Sequence, residues 1–412
     1  MSKLAFVKRR SSSANVGKPR NWHSYAPLCS LQAPPRTANM SPLVVYEGMK
    51  RSVDPMHLVV LPGDGIGPEI SAAACEILQF LDKDMSLGLT LETHEIGLAR
   101  LKRDKTTFPV SVAEACRAAD GIILGPVSHA NYPPRSEGGI NVSGELRITL
   151  DLYANIRPSR SRESLPHWGR TPMDLVIVRE NTEGFYADRN MYWGIGEFMP
   201  TPDMALAVRK ITAAASRRIA RAGFDLAASR RKKVTAVHKA NVMKVSDALF
   251  LREVREVAKD YPGVNYEEQL VDSMAALLVR DAARFDVVVT TNMFGDILSD
   301  EAAELSGSLG LAGSINAGDS HGMAQAQHGS APDIAGKGVA NPVSLILSCA
   351  MLLDWLSRRH QKEALATAAQ RIEQSVDGLL KDPDRRTPDL GGKLGTKAFT
   401  KALAEEIRLG AG

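Results

Sequence analysis

The stretch HLVVLPGDGIGPEI at residues 57–70 decides the fold. A short apolar run, His57–Leu61, leads into a turn rich in glycine, and Pro68 then opens a segment with helical spacing of its apolar residues. A buried strand followed directly by a helix is the building unit of proteins in which helices cover a parallel sheet. The stretch therefore predicts an α/β fold.

The same alternation continues along the chain. Short apolar runs predict further strands, and helical spacing between them predicts helices. The predicted strands are Gly121–Leu124, Asp174–Val178, Lys233–Val237 and Phe285–Thr290, and the predicted helices are Pro68–Leu81, Pro202–Ala222 and Ser246–Lys259. Because these strands are almost continuously apolar, we expect a mostly parallel sheet that is buried on both faces. Beyond Asn341 and Pro342 the chain is predicted to be largely helical.

Length and composition exclude several classes of protein. A chain of 412 residues predicts two or three domains. A hydrophobic content of 44% excludes wholesale disorder, and no apolar run reaches the roughly 20 residues that cross a bilayer. The four cysteines lie far apart without C-x-x-C spacing, which argues against a zinc site or a disulfide scaffold and favours a reducing compartment.

The net charge of +4 comes from the start of the chain. Of 51 basic and 47 acidic residues, nine basic and two acidic ones lie in residues 1–55, which leaves 42 and 45, a net charge of −3, for the remainder. Residues 1–55 have no periodicity and are predicted to be a disordered basic extension. Their composition fits either an organelle transit peptide or sequence upstream of the true start at Met56. We expect a cytoplasmic protein, or one in an organelle matrix if the extension is a transit peptide.

The turn GDGIGPE at residues 63–69 does not predict a Rossmann fold. Its spacing is G-x-G-x-G-P, and Pro68 stands where the dinucleotide fingerprint needs a third glycine. No acidic residue ends a second strand about 20 positions later, as that fingerprint requires. Taken alone, the segment predicts a tight turn with an exposed helix N-terminus, which suits any anion.

Three arginines at strand and loop positions are candidate substrate ligands. Arg147, Arg157 and Arg179 follow one another at short intervals, and Arg179 closes an apolar strand where an unpaired charge would be costly. Three converging guanidiniums would suit a substrate with two carboxylates. The spacing alone is equally compatible with three unrelated, ion-paired arginines.

Two carboxylates predict a metal site. Asp296 and Asp300 stand four residues apart directly after an apolar strand, so on a helix they share a face. Like charges so placed repel unless a cation lies between them. Hard oxygen ligands favour Mg²⁺ or Mn²⁺. Alternatively, the pair is a solvated acidic helix face.

Three further features complete the candidate site. Tyr186 lies seven residues after Arg179, and Lys239 follows a buried strand, so the two could transfer protons. The segment HGSAPDIAG at residues 328–336 lets backbone approach a flat, phosphate-bearing ligand. Asp333 in this segment would bind two ribose hydroxyls and repel a 2′-phosphate.

Together these segments resemble the β-decarboxylating dehydrogenases, which act on isopropylmalate, isocitrate, homoisocitrate or tartrate. The matching strings occur in the family's order from about Met56 to near the C-terminus. They are LPGDGIGPEI, LDLYANIRP, VIVRENTEGFYA, VHKANVMK, TTNMFGDILSDEAAELSGSLGLA and HGSAPDIAGKGVANP.

The resemblance implies a two-domain, non-Rossmann α/β fold with the active site in the cleft between the domains. Residues 56–152 and 307–412 would form a large cofactor-binding domain, and residues 153–306 a small domain for dimerisation and substrate binding. The family also implies a homodimer with shared active sites.

The same resemblance implies a role for each site residue. Arg147, Arg157 and Arg179 would bind the malate part of a small-molecule substrate, together with Asp272. Asp272 of the partner subunit would also join Asp296 and Asp300 in binding Mg²⁺ or Mn²⁺. Lys239, again from the partner, would accept the hydroxyl proton, and Tyr186 would protonate the enolate. NAD would be bound by Ile66, His328, Gly329, Ser330, Ala331, Pro332, Asp333, Ile334 and Asn341, with Asp333 favouring NAD over NADP.

Two segments depart from the family pattern. Isopropylmalate enzymes usually place a Glu and two Leu before the first substrate arginine, where this chain has Ile140, Ser143 and Gly144. Asn141 and Ser143 resemble an exchanged version of the isocitrate pattern, so the pocket is predicted to be less apolar than isopropylmalate requires and the substrate stays open. In addition, AQAQH at residues 324–328 replaces the Glu-Pro-Val-His of many relatives.

Two other functions fit the sequence less well. A non-catalytic regulatory subunit of the same family would have lost proton-transfer or metal residues, yet Tyr186, Lys239, Asp272, Asp296 and Asp300 are all present. A nucleic-acid binder would interleave aromatic and basic residues on a folded surface. Few aromatic residues, namely Phe6, Trp22 and Tyr25, accompany the basic residues before Tyr46, so no nucleic-acid partner is expected.

Overall fold

The computed structural model describes residues 55–186, 191 and 196–410. The predicted basic extension therefore lies outside the described residues, except for Pro55. The strands are β1 (Met56–Leu61), β2 (Leu89–Thr93), β3 (Gly121–Leu124), β4 (Ala154–Arg160), β5 (Asp174–Glu180), β6 (Glu197–Thr201), β7 (Met204–Ala207), β8 (Lys233–His238), β9 (Asn265–Leu270), β10 (Val287–Thr290), β11 (Ile315–Ala317) and β12 (Gly322–Gln325). The helices are α1 (Gly67–Met85), α2 (Gly97–Asp104), α3 (Val110–Ala118), α4 (Val142–Thr149), α5 (Ala213–Ala228), α6 (Ser246–Ala258), α7 (Val271–Asp281), α8 (Asn292–Ser306), α9 (Val343–His360), α10 (Glu363–Leu379) and α11 (Thr396–Leu409).

One ten-stranded sheet runs through the described part of the chain in the order β2-β1-β3-β12-β11-β4-β5-β10-β8-β9. The outer strands on both sides pair in parallel, as predicted. In the middle, β4 and β11 run antiparallel to their neighbours, so the sheet is mixed. The α/β fold class is confirmed.

Helices pack on both faces of this sheet because its strands are apolar on both faces. One large cluster joins β1 to α1, α9, α10 and α11 and is built from residues such as Ile70, Leu352 and Phe399, all buried. A second joins the β5–β10–β8 region to α5 and α6 through Phe224, Phe250 and their neighbours. The division into residues 56–152 plus 307–412 and 153–306 stays a prediction.

The predicted helix Pro202–Ala222 is wrong in its first half. Met204–Ala207 is strand β7, which pairs with β6 in an antiparallel ribbon, and helix α5 begins only at Ala213. Thr212 stops the helix from starting earlier because its backbone is extended and its side chain accepts a hydrogen bond from the Ala215 amide. The alanine-rich sequence has high helix propensity, but pairing of the two strands outweighs it.

The turn after β1 is built as the sequence predicts. Gly63 and Gly65 have positive φ angles of 78° and 58°, and a Cβ on Gly65 would lie 1.9 Å from the Ser330 carbonyl oxygen. The glycines therefore allow α1 to begin directly against the segment that contains Ser330. Among the described helices, none is both long and apolar enough to cross a membrane.

Candidate active site

The two most buried candidate arginines project from neighbouring strands. Asn155 on β4 is the register partner of Arg179 on β5, so Arg157, two residues further along β4, projects from the same face of the sheet. The Arg179 side chain is 2% exposed and that of Arg157 is 8% exposed. Such buried charges need anionic partners.

Helix α8 supplies those partners. Arg179 Nη1 donates to Asp296 Oδ1. Arg157 Nη1 lies 3.4 Å from the same oxygen and donates to Asp300 Oδ1 at 3.1 Å. Two carboxylates from successive turns of α8 thus converge on one cationic nitrogen, which confirms that they share a helix face.

Mutual electrostatics fix the charge states of this cluster. Burial, and next the neighbouring Arg179 cation, lower the pKa of Arg157 to about 10. Burial acts to raise the pKa of Asp296, but Arg179, Arg157 and Arg147 outweigh it and the pKa lies below its ordinary value. At neutral pH the site therefore holds an ionised carboxylate among charged guanidiniums.

Amide side chains that the sequence did not mark as functional hold these groups in place. Asn292 Oδ1 accepts from Arg179 Nε and Nη2 at 3.0 and 2.6 Å, and Asn155 Oδ1 accepts from Arg157 Nε at 2.6 Å. Gln325 Oε1 accepts from Arg147 Nη2 at 3.3 Å. A lone Asn or Gln gives no distinctive sequence signal, so only its spatial neighbours reveal the role.

Gln327 belongs to the segment that departs from the family pattern. Its Nε2 donates to Asp300 Oδ1 at 3.1 Å and to the Ser299 carbonyl oxygen at 3.0 Å. The segment at residues 324–328 therefore contacts the carboxylate cluster directly, in addition to preceding the predicted cofactor loop.

Tyr186 lies at this cluster. Its hydroxyl donates to Asp296 Oδ2 at 3.2 Å, and the Arg179 guanidinium carbon lies 5.7 Å from the centre of its ring. The structure thus brings the predicted proton donor to one of the predicted metal ligands.

Lys239 and Asp272 form a separate pair. Lys239 Nζ donates to Asp272 Oδ1 at 2.6 Å, and this bond lowers the pKa of Asp272. Neither residue is among those that line the arginine cavity. Within one chain, Asp296 and Asp300 therefore form one pair, and Lys239 and Asp272 form another. No group of three or more metal-ligating side chains occurs among the described residues.

The arginine cavity has a volume of about 380 Å³. Its lining includes the three candidate arginines, Tyr186 and Asp296. Its wall is polar on the side of α4, where Asn141, Ser143 and Gly144 contribute, and Ser143 Oγ donates to Gln325 Oε1 at 3.1 Å. The remaining lining residues are Pro126, Val127, His129, Ser314, Gln325, Ala326, Gln327, His328 and Gly329.

The predicted cofactor segment begins at the edge of this cavity. His328 and Gly329 line it, and the Ile66 amide donates to the Ser330 carbonyl oxygen at 2.9 Å. Ser330 Oγ also shares a 2.7 Å hydrogen bond with Ser128 Oγ. The structure therefore brings Ile66 into contact with the segment at residues 328–336.

The other members of this segment differ in their surroundings. A Cβ on Gly329 would meet no atom within 4 Å, and Asp333 and Pro332 are exposed. Ala331 has a positive φ of 38°, and Ile334 is partly buried against the large core cluster. Asn341 Nδ2 donates to Asp389 Oδ2 at 2.9 Å, and Asn341 Oδ1 accepts from the Val343 amide at the start of α9.

The comparisons with known proteins agree with this geometry. The model of the isocitrate/isopropylmalate dehydrogenase family matches residues 57–407. The chain belongs to this family. Its members' activity is the oxidative decarboxylation of hydroxy acids, and the family implies a nicotinamide cofactor and a divalent metal.

This chain aligns with individual relatives of this dehydrogenase family over almost the whole length of each relative. The isocitrate/homoisocitrate dehydrogenase of Thermus thermophilus is 44% identical over 85% of this chain and 98% of its own. The 3-isopropylmalate dehydrogenase of Archaeoglobus fulgidus is 42% identical over 84% of this chain and 98% of its own. The crystal structure of isocitrate dehydrogenase from Methylococcus capsulatus aligns with a TM-score of 0.76 and 39% identity, covering 86% of this chain and 99% of that one.

Proposed function

We propose that this protein is an NAD- and divalent-metal-dependent dehydrogenase that oxidatively decarboxylates a 2-hydroxy acid bearing a 3-carboxylate. The observation that carries the proposal is the cavity in which Arg147, Arg157 and Arg179 surround Asp296 and Tyr186. The guanidiniums give two carboxylates of a substrate fixed places, and a carboxylate and a phenol stand beside them for metal binding and proton transfer.

The residues of this chain fit a divalent metal. Asp296 and Asp300 lie on one face of α8, near enough to each other that Arg157 Nη1 contacts both carboxylates. Mg²⁺ and Mn²⁺ prefer such hard oxygen ligands. Asp296 and Asp300, with Asp272 of the partner subunit, would hold the ion, which when bound supplies positive charge opposite the oxygen that becomes negative during decarboxylation.

The chain also fits a nicotinamide cofactor. The segment at residues 328–336 leaves open space beside Gly329, and its Asp333 side chain is exposed, so that the carboxylate is available to accept hydrogen bonds from ribose hydroxyls. The same negative charge would repel a 2′-phosphate, which supports NAD over NADP. When bound, the nicotinamide supplies the hydride acceptor.

The chain's own side chains then orient the substrate and move protons. Arg147, Arg157 and Arg179 hold the substrate carboxylates. Lys239 of the partner subunit accepts the proton of the 2-hydroxyl while the hydride leaves C2. The bond from C3 to its carboxylate breaks, CO₂ leaves, and Tyr186 donates its hydroxyl proton to C3, which gives a 2-oxo acid.

We infer a homodimer with shared active sites because the Lys239–Asp272 pair is separate from the cluster that contains Asp296 and Asp300. Lys239 and Asp272 lie outside the arginine cavity in their own chain, so a second copy is the natural source of the missing base and ligand. An exposed apolar ribbon supports an interface. Phe198, Met199, Met204 and Leu206 on β6 and β7 are 43–65% exposed, which is costly on a surface that nothing covers.

The polar wall of the cavity favours an isocitrate-like substrate over 3-isopropylmalate. Asn141 and Ser143 can donate hydrogen bonds to a carboxylate on the substrate's side chain, whereas an isopropyl group offers them no acceptor. A panel of isocitrate, homoisocitrate, 3-isopropylmalate, tartrate and malate with NAD and Mn²⁺, followed by NADH absorbance, tests both proposals. Fastest turnover of 3-isopropylmalate would contradict the substrate preference, and no turnover of any acid would contradict the function. A regulatory subunit is the alternative that an inactive panel would favour.

A further inference from the structure

A buried ion pair lies behind the candidate active site, outside the cavity. Asp247, on the first turn of α6, is fully buried, and its Oδ1 accepts from Arg209 Nη1 at 2.5 Å. Its other oxygen, Oδ2, accepts from the backbone amide of Lys239 at 2.6 Å. Asp247 therefore uses one oxygen for a cation and the other for the backbone of the proposed base.

The carboxylate closes the loop that carries Lys239. Strand β8 ends at His238, so the Lys239 amide lies beyond the sheet ladder. The amides of Val242 and Met243 donate to the Lys239 carbonyl, and the Asp247 amide donates to that of Met243. With the Asp247 carboxylate on the Lys239 amide, the loop is fixed at both ends, and the lysine side chain projects from a rigid base.

Arg209 connects this loop to the arginine cavity. Its Nη2 donates to Thr291 Oγ1 at 3.0 Å, and Thr291 directly precedes Asn292, the residue that holds Arg179. Its guanidinium carbon lies 5.9 Å from the ring centre of Phe185 and 5.5 Å from that of Phe294. Phe185 directly precedes Tyr186.

The Arg209 guanidinium thus contacts Phe185, which precedes Tyr186 in the chain, and Asp247, which binds the Lys239 amide. A structural ion pair needs only one partner to neutralise its charge, but Arg209 also donates to Ser246 Oγ at 2.9 Å and to Thr291 Oγ1, and its guanidinium lies near the rings of Phe185 and Phe294, on the segments that carry Tyr186 and Asn292. The pair is also nearly dry, because the Arg209 side chain is 9% exposed and that of Asp247 is 0% exposed. In such surroundings the bonds are strong and a lost partner is costly.

We propose that Arg209 and Asp247 are positioning residues of the reaction: together they fix Lys239 on one side and Tyr186 with Arg179 on the other. The inference rests on the proposed function. If Lys239 serves the partner's site, the ion pair also links the two active sites of a dimer, since it contacts the Lys239 amide and the residues that directly precede Tyr186 and Asn292.

The test is steady-state kinetics of the full chain with its best substrate, NAD and Mn²⁺, for Asp247→Asn, Arg209→Lys and Arg209→Ala. Asparagine keeps the size of Asp247 but offers one acceptor oxygen in place of two, so either Lys239 or Arg209 loses its bond. We expect kcat to fall roughly 10- to 100-fold while the substrate KM changes less than about threefold. Arg209→Lys keeps the positive charge but lacks the planar guanidinium with its several donors. We therefore expect its kcat to lie between those of the wild type and Arg209→Ala.

Asp286→Asn is the matched control. Asp286 is 1% exposed and accepts from Arg230 Nε at 2.8 Å, but it precedes β10, at the opposite end of that strand from Thr291. We expect this variant to lose thermal stability as Asp247→Asn does and to keep its kcat per folded molecule. Equal kcat in both variants would overturn the inference, as would a loss in Asp247→Asn that appears only in KM.

The kinetics separate this inference from the function on which it rests. A wild-type chain that turns over no acid of the panel refutes the proposed function. An active wild type with an inactive Lys239→Ala variant and an unimpaired Asp247→Asn variant refutes only the positioning roles.

Discussion

Among the single residues of the candidate site, some set the charge state of the carboxylates and others hold the charged groups in position. Asp296 is the central acceptor, since it contacts Arg179, Arg157 and Tyr186. The guanidiniums keep it ionised, and the amides of Asn292 and Asn155 keep the guanidiniums in place. Substitutions at proton-transfer groups and at amides should therefore differ in their kinetic signatures.

Lys239→Ala and Tyr186→Phe test the proton-transfer roles. Each removes a group that accepts or donates a proton in the proposed reaction, so we expect kcat to fall by roughly 10²- to 10⁴-fold. Both positions are at least partly exposed, and the fold should survive, which circular dichroism can check. Full NADH production by both variants would remove the two residues from the mechanism.

Asp333→Lys tests the choice of cofactor. An ammonium in place of the exposed carboxylate would no longer accept ribose hydroxyls and would attract a 2′-phosphate. We expect the ratio of kcat/KM for NAD to that for NADP to fall at least tenfold, which corresponds to about 1.4 kcal/mol. Asp260→Lys, an exposed change after α6, is the control. An unaltered ratio would argue against Asp333 as the ribose ligand.

At the scale of elements, the site depends on how closely α8 lies on β5. Gly295 of α8 packs on Arg179, and a Cβ at this position would lie 2.6 Å from the Arg179 Cγ atom and 2.7 Å from its Cβ atom. These are atoms near the backbone of a buried strand, so they cannot move aside cheaply.

We therefore expect Gly295→Ala to displace Arg179 and to raise the substrate KM roughly 10- to 100-fold. Gly263→Ala is the matched control, because a Cβ there meets no atom within 4 Å, and its activity and melting temperature should match the wild type. A Gly295→Ala enzyme with an unchanged KM would show that the helix can shift without moving the arginine.

The elements also show what the sequence can predict. Four-residue spacing placed Asp296 and Asp300 on one helix face, and the strand-end position of Arg179 indicated a buried cation with an anionic partner; α8 confirms both. The antiparallel strands β4 and β11 were not foreseen, because their pairing joins segments about 160 residues apart and leaves no local pattern. The roles of Asn292 and Gln325 were missed for the same reason.

At the scale of the whole molecule, one chain does not bring all predicted site residues together. Lys239 and Asp272 lie in one pair, and Tyr186, Asp296 and Asp300 in another cluster. Sequence spacing cannot reveal such a division, because it does not distinguish a contact within a chain from one between two copies.

Mixed dimers test the shared site. If each site combines Tyr186 of one chain with Lys239 of the other, a dimer of one Lys239→Ala chain and one Tyr186→Phe chain has one intact site. Random pairing of co-expressed chains should restore about a quarter of the wild-type activity, although each variant alone is inactive. Sites built within single chains would give a mixture as inactive as its parents.

The central position of β11 and β12 bears on how the protein is made. Strand β12 lies between β3 and β11, and Ser330 bonds to Ser128 across 202 residues of chain. A nascent chain that has exposed β1 and β3 to solvent must therefore wait for nearly half of its length to be translated before that part of the sheet can close. During this interval the edge of β3 stays open to pairing with other chains, so slowed translation or a truncated C-terminus would lead to aggregation rather than to a stable partial domain.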